Sequence, residues 1–105
     1  MRDWPDSLVP ASATVLDAMR NIDWTGLQMC LVVDAGHRLL GVVTDGDLRR
    51  ALLRQVSMDA PATEVMKTAP HVARPDEDDE TLRRRMVSLS VHHLPVVGTD
   101  GVVVG

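Results

Sequence analysis

The chain repeats itself, and this constrains its fold more than any other feature. Shifting the 105-residue sequence by 64 positions lays Ile22 on Met86, Leu27 on Val91, Val32-Val33 on Val96-Val97 and Gly41 on Gly105. Few letters coincide. What recurs is the order of apolar, polar and turn classes, as expected of one supersecondary unit used twice. A chain of this length supports a single compact domain, so the two copies have to share a core.

Hydrophobic spacing defines the unit. Val15, Leu16, Met19 and Ile22 recur at helical intervals behind Ser12, which stands as the N-cap, and Gly26 follows where such a helix stops; this predicts a helix over 12–24. The apolar runs Met29 to Val33 and Leu39 to Val43 flank the polar stretch Asp34-Ala35-Gly36-His37-Arg38 and read as a hairpin. A second helix is expected over 45–55, with Leu48, Leu52 and Leu53 inward and Arg49, Arg50 and Arg54 outward. The connector that follows carries Pro61, Pro70 and Pro75, a helical turn at 63–66 and an extended piece, Pro70-His71-Val72. The second copy reaches Gly105, the counterpart of Gly41, so its last strand and helix are expected to be missing. The apolar face and strand edge left open predict pairing into a homodimer.

Composition removes several classes of function. The core must be aliphatic, because the chain is 45% apolar but only 2% aromatic, its two aromatics being Trp4 and Trp24. A net charge of -4 argues against a nucleic-acid or anionic-membrane surface, which needs a basic face. No apolar stretch approaches the roughly 20 residues that span a bilayer, and the polar opening lacks the apolar core of a signal peptide. The lone Cys30, inside an apolar run, has no disulfide partner and fits a reducing, cytoplasmic setting.

The stretch Gly41-Val42-Val43-Thr44-Asp45-Gly46-Asp47-Leu48 runs from a strand into a helix. Thr44 and Asp47 stand at the spacing of an N-cap and the third helical position. Two readings follow. They form a structural capping box, or they present a hydroxyl and a carboxylate to a ligand at a helix start that attracts anions. Other candidates are weaker. His92-His93 are adjacent on an expected strand, point to opposite faces and lack neighbouring metal ligands. The acidic run Asp76 to Glu80 lacks the spacing of a calcium loop and is expected to open the helix that continues through Arg83-Arg84-Arg85. Met19, Met58, Met66 and Met86 read as core filler. No nucleophile elbow, P-loop or dinucleotide fingerprint is present, so this chain is not expected to be an enzyme by itself.

The order helix, Val32-Val33-Asp34, turn, Gly41-Val42-Val43-Thr44-Asp45-Gly46-Asp47-Leu48-Arg49-Arg50-Ala51-Leu52, connector with Glu64-Val65-Met66, then Val91-His92-His93-Leu94-Pro95-Val96-Val97, resembles a tandem pair of CBS domains, a Bateman module. The resemblance implies an α+β fold of two βαββα repeats packed as a pseudo-twofold pair, 1–60 and 61–105, with the second repeat truncated. It also implies an adenine nucleotide of the AMP, ADP or ATP type as a regulatory ligand between the repeats, with no cofactor required. Thr44 and Asp47 match the step that holds phosphate and ribose, and Pro70, His71 and Val72 match the segment against adenine. Gln28, His92 and His93 match the phosphate-facing loop, where Gln28 departs from the basic residues frequent in nucleotide binders. Physically, a carboxylate repels phosphate but accepts hydroxyl hydrogen bonds, so Asp47 suits the ribose while the helix start and Thr44 suit the phosphate. The opening Met1-Arg2-Asp3-Trp4 and the Thr44 to Arg50 motif look like the amino-terminal CBS pair of bacterial sugar-1-phosphate nucleotidyltransferases, with the catalytic domain following. A similar motif in arabinose-5-phosphate isomerases is the alternative, and a dimerisation scaffold without ligand is another.

Overall fold

The structure, a computed structural model, describes residues 3–91 and 93–105. After a short 3-10 turn at Trp4–Ser7 come β1 (Leu8–Pro10), α1 (Val15–Thr25), β2 (Met29–Val33), β3 (Leu39–Thr44), α2 (Asp45–Leu53), a second 3-10 turn at Ala62–Glu64, and α3 (Asp79–Leu89). The sheet has the order β1-β2-β3, with β1 parallel to β2 and β2 antiparallel to β3. The periodicity reading missed β1, because three residues ending in Pro10 are too short to show an alternation. It also misplaced the first cap. Thr14, not Ser12, opens α1: its hydroxyl accepts from Asp17 N–H at 3.1 Å while Asp17 Oδ2 accepts from Thr14 N–H at 2.9 Å.

Both faces of the sheet are covered, which is why β2 is an unbroken apolar run rather than an alternating one. On one face Val15, Ala18 and Ile22 of α1 and Leu48 and Ala51 of α2 bury Cys30, Val32 and Val43. On the other, Leu31, Val33 and Val42 pack against Val103 from the second half, with Trp4, Leu8 and Met29 at the edge. Met19, Met58 and Met66 pack against the first cluster as core filler. Leu52 and Leu53 differ from the sequence expectation, being 53% and 78% exposed. The buried stripe of α2 is Asp47, Leu48 and Ala51. At about 100° per residue, Leu52 and Leu53 are carried past that stripe toward solvent.

The 64-residue repeat is written in the hydrogen bonds. The parallel pair Val9 and Val32 has its counterpart in the parallel bridge Ala73 and Val96, and the antiparallel pair Val33 and Leu39 in the bridge Val97 and Val103. The turn bonds Asp34 N–H to Arg38 O and His37 N–H to Asp34 O reappear as Gly98 N–H to Val102 O and Gly101 N–H to Gly98 O. Thr14 caps α1 where Asp78 caps α3, and left-handed Gly26 ends α1 where left-handed Ser90 ends α3. The acidic run therefore opens α3 from Asp78 onward, with Asp76 and Glu77 ahead of it.

Candidate functional site at the start of α2

Gly41 is where the site begins. A Cβ there would lie 2.6 Å from Met66 Sδ and 2.7 Å from Lys67 O, so only glycine lets the connector close on β3. Val42 and Lys67 then exchange both backbone hydrogen bonds, at 3.1 and 2.9 Å. This sets the Lys67 ammonium beside the mouth of α2, 3.9 Å from Asp47 Oδ1.

At that mouth Thr44 and Asp47 form the capping box in full. Asp47 Oδ2 accepts from Thr44 N–H at 2.9 Å and from the Thr44 hydroxyl at 3.0 Å, and Asp47 N–H donates to Thr44 Oγ1 at 3.2 Å. Asp47 Oδ1 accepts from Arg50 Nη2 at 2.7 Å. The carboxylate is 5% exposed, whereas Arg50 and Lys67 are 50% and 58% exposed. A buried anion at a helix start thus carries two cations on its solvent side. The α1 box is the internal control: Asp17 and Thr14 make the same two reciprocal backbone-to-side-chain bonds, but Asp17 is exposed. Capping explains the shared geometry. It does not explain the burial of Asp47 or the convergence of Arg50 and Lys67 on one oxygen. Helical spacing alone places Arg50 as an outward charge; its i, i+3 separation from Asp47 signals the pairing, whereas nothing local signals that of Lys67.

The remaining candidates are dispersed. Gln28, exposed with φ 70°, precedes Met29, the partner of Thr44 in the sheet, and so lies at the same sheet end. Among the described residues no hydrogen bond joins it to Thr44 or Asp47, and none joins Pro70, His71 or Val72 to them. That segment carries no helix or strand assignment. It is held by the second half, with Val72 O accepting from Arg85 Nη1 at 2.7 Å and Ala73 bridged to Val96. His92 lies outside the described residues. His93 lines a cavity of about 330 Å³ between the halves, whose walls include Trp4, Met29, Leu82, Met86 and Leu94. By the 64-residue shift, Leu82, Met86, Leu94 and Val96 are the counterparts of Ala18, Ile22, Cys30 and Val32, which in the first half pack against Leu48 and Ala51 of α2. The cavity therefore separates the core face of the second half from Trp4, Met29 and Leu31 of the first, and Met86 lines it instead of filling a core.

No group of three or more metal-ligating side chains occurs among the described residues, and none of their helices is long and apolar enough to cross a membrane. Burial pushes the Cys30 thiol up to about 12, so it is a neutral core residue rather than a nucleophile.

The CBS domain profile matches residues 5–54 and 62–105. The chain belongs to the CBS domain family. It is a tandem CBS pair with an α+β fold, and such domains are regulatory modules. Arabinose 5-phosphate isomerase GutQ of Shigella flexneri is 35% identical over 101 residues, covering 92% of this chain and 30% of the relative. The CBS chain thus spans about a third of the length of that relative. Among solved structures, a putative acetoin utilization protein (AcuB) from Vibrio cholerae superposes with a TM-score of 0.85 at 27% identity, covering 93% of this chain and 73% of that one. CBSX2 in complex with AMP superposes with a TM-score of 0.79 at 27% identity, covering 93% and 77%.

Proposed function

We propose that this CBS pair binds an adenine nucleotide at the start of α2 and passes its occupancy to a catalytic domain that handles a sugar phosphate. The observation that carries the reading is the buried Asp47 carboxylate with Arg50 and Lys67 on its open side: an acceptor suited to ribose hydroxyls beside two cations suited to phosphate. The AMP complex of CBSX2 supports this ligand class. Thr44 orients the acid, and Gln28, at the same sheet end, is within the region a phosphate would reach. Pro70, His71 and Val72 are proposed to meet the base, with His92 and His93 serving the second half. The isomerase relative supports an isomerase as the attached domain; the nucleotidyltransferase setting rests on the Met1 to Trp4 opening and the Thr44 to Arg50 motif. Isothermal titration with AMP, ADP, ATP and GTP tests the reading. Asp47→Ala is expected to weaken the bound nucleotide by about 1–3 kcal/mol, the cost of losing hydrogen bonds to a charged group. Equal affinity in the variant would move the site elsewhere.

A second reading, dimerisation through CBS surfaces, is favoured by the exposed Trp24, Leu52, Leu53 and Val87. A monomer by light scattering at high concentration would exclude it.

A further inference from the structure

We infer that Arg50 and Lys67 act as a selectivity gate on Asp47, so that the ribose is admitted only when phosphate arrives with it; this rests on the nucleotide reading above. Asp47 Oδ2 already accepts two hydrogen bonds from Thr44, which is its usual capacity. Oδ1 accepts Arg50 at 2.7 Å and faces the Lys67 ammonium at 3.9 Å. A cis-diol brings two hydroxyl donors and therefore has to take Oδ1 from the guanidinium.

Once displaced, Arg50 and Lys67 lose the anion they shared. Two cations at the mouth of a helix, whose positive end faces them, then need a new counter-charge. A neutral nucleoside supplies none. A nucleotide does, because its phosphate replaces the carboxylate as partner of both cations in the same event. Both side chains are half-exposed and on flexible stems, so the exchange requires no backbone movement. Asp17, which has the same Thr box without that pair of cations at its second oxygen, shows that the gate is separable from the cap.

The test is calorimetric titration of the chain with adenosine, AMP and ADP, repeated on R50Q/K67Q and on R50K. For the unsubstituted chain AMP is expected to bind about 10–100-fold more tightly than adenosine, the range for a charge-assisted hydrogen bond, and ADP at least as tightly as AMP. In R50Q/K67Q the order should compress from both sides: AMP weakens while adenosine tightens, because Oδ1 has been vacated. R50K, which keeps the charge, should retain the preference for AMP. Adenosine and AMP binding alike in the unsubstituted chain, with adenosine unchanged in R50Q/K67Q, would overturn the gate and leave the nucleotide site standing. No binding of any nucleotide by any of the three chains would overturn both.

Discussion

Arg38 and Val102 pair across an antiparallel bridge and occupy the same position in the two copies of the repeat. Around them the hydrogen bonds are reciprocal: Leu39 N–H donates to Gly101 O, and Val103 N–H donates to His37 O. A residue paired with its own counterpart marks the pseudo-twofold axis, so the halves meet through the hairpin turns as well as through the apolar face of Leu31, Val33, Val42 and Val103. The connector closes the same assembly from the other side, by pairing Lys67 with Val42.

Gly41→Ala tests that closure. The new Cβ would press on the Lys67 carbonyl, which is backbone and cannot step aside cheaply, so urea unfolding should show a loss of about 1–3 kcal/mol. An unchanged midpoint would mean that the connector does not lie against β3.

The two Thr boxes should differ in strength. Thr14→Ala and Thr44→Ala each remove a cap, at about 0.5–2 kcal/mol, but Thr44→Ala also strips hydrogen bonds from a buried carboxylate and should fall at the upper end. Thermal unfolding of the two variants side by side checks the order, and Thr44→Ser should recover most of the loss.

Ile22→Ala and Leu53→Ala compare two apolar residues that sequence spacing treats alike. Ile22 is enclosed by the first core, so its truncation should cost about 2–5 kcal/mol. Leu53 is solvent-facing, and its truncation should stay within about 0.5 kcal/mol in the monomer. A large loss at Leu53 would show that something covers it.

Stability should decline at both ends of the pH range, for separate reasons. Hydrogen bonds from the backbone N–H groups of Thr14, Arg74 and Thr81 hold the carboxyls of Asp17, Glu77 and Asp78 below their usual range. A depressed folded pKa means that the unfolded chain takes up protons first, so this contribution is present above about pH 4 and is lost as pH falls through the folded values. Cys30 works in the opposite sense. Its thiol ionises near 9.0 when unfolded and at about 12 when buried, so the unfolded state sheds its proton first and stability falls as pH rises between those values. Circular dichroism melts across pH should show both limbs, and Cys30→Ala should flatten the alkaline one even though its overall stability is lower.

Local patterns carried much of this fold. The helical spacing of Val15, Leu16, Met19 and Ile22, the apolar runs of β2 and β3, the Thr44 and Asp47 box and the 64-residue repeat were all legible, because each depends on neighbours within a turn, a strand or a repeated order. Three features were not. The rotation that buries Ala51 and exposes Leu53 follows from how α2 settles on Val32 and Val43, which no helical period specifies when leucines stand at adjacent positions. The strand Leu8–Pro10 exists because β2 offers it a partner. Lys67 reaches Asp47 because Gly41 leaves room for a connector distant in the chain.

The repeated unit, its apolar faces and the acid at the start of α2 are all written in the order of residues, since they are properties of composition and spacing. The burial of that acid and its pairing with Lys67 emerge only from packing. Arg50 comes with the helix itself, but Lys67 arrives at Oδ1 only because the connector packs against β3, at a distance along the chain that no local spacing encodes.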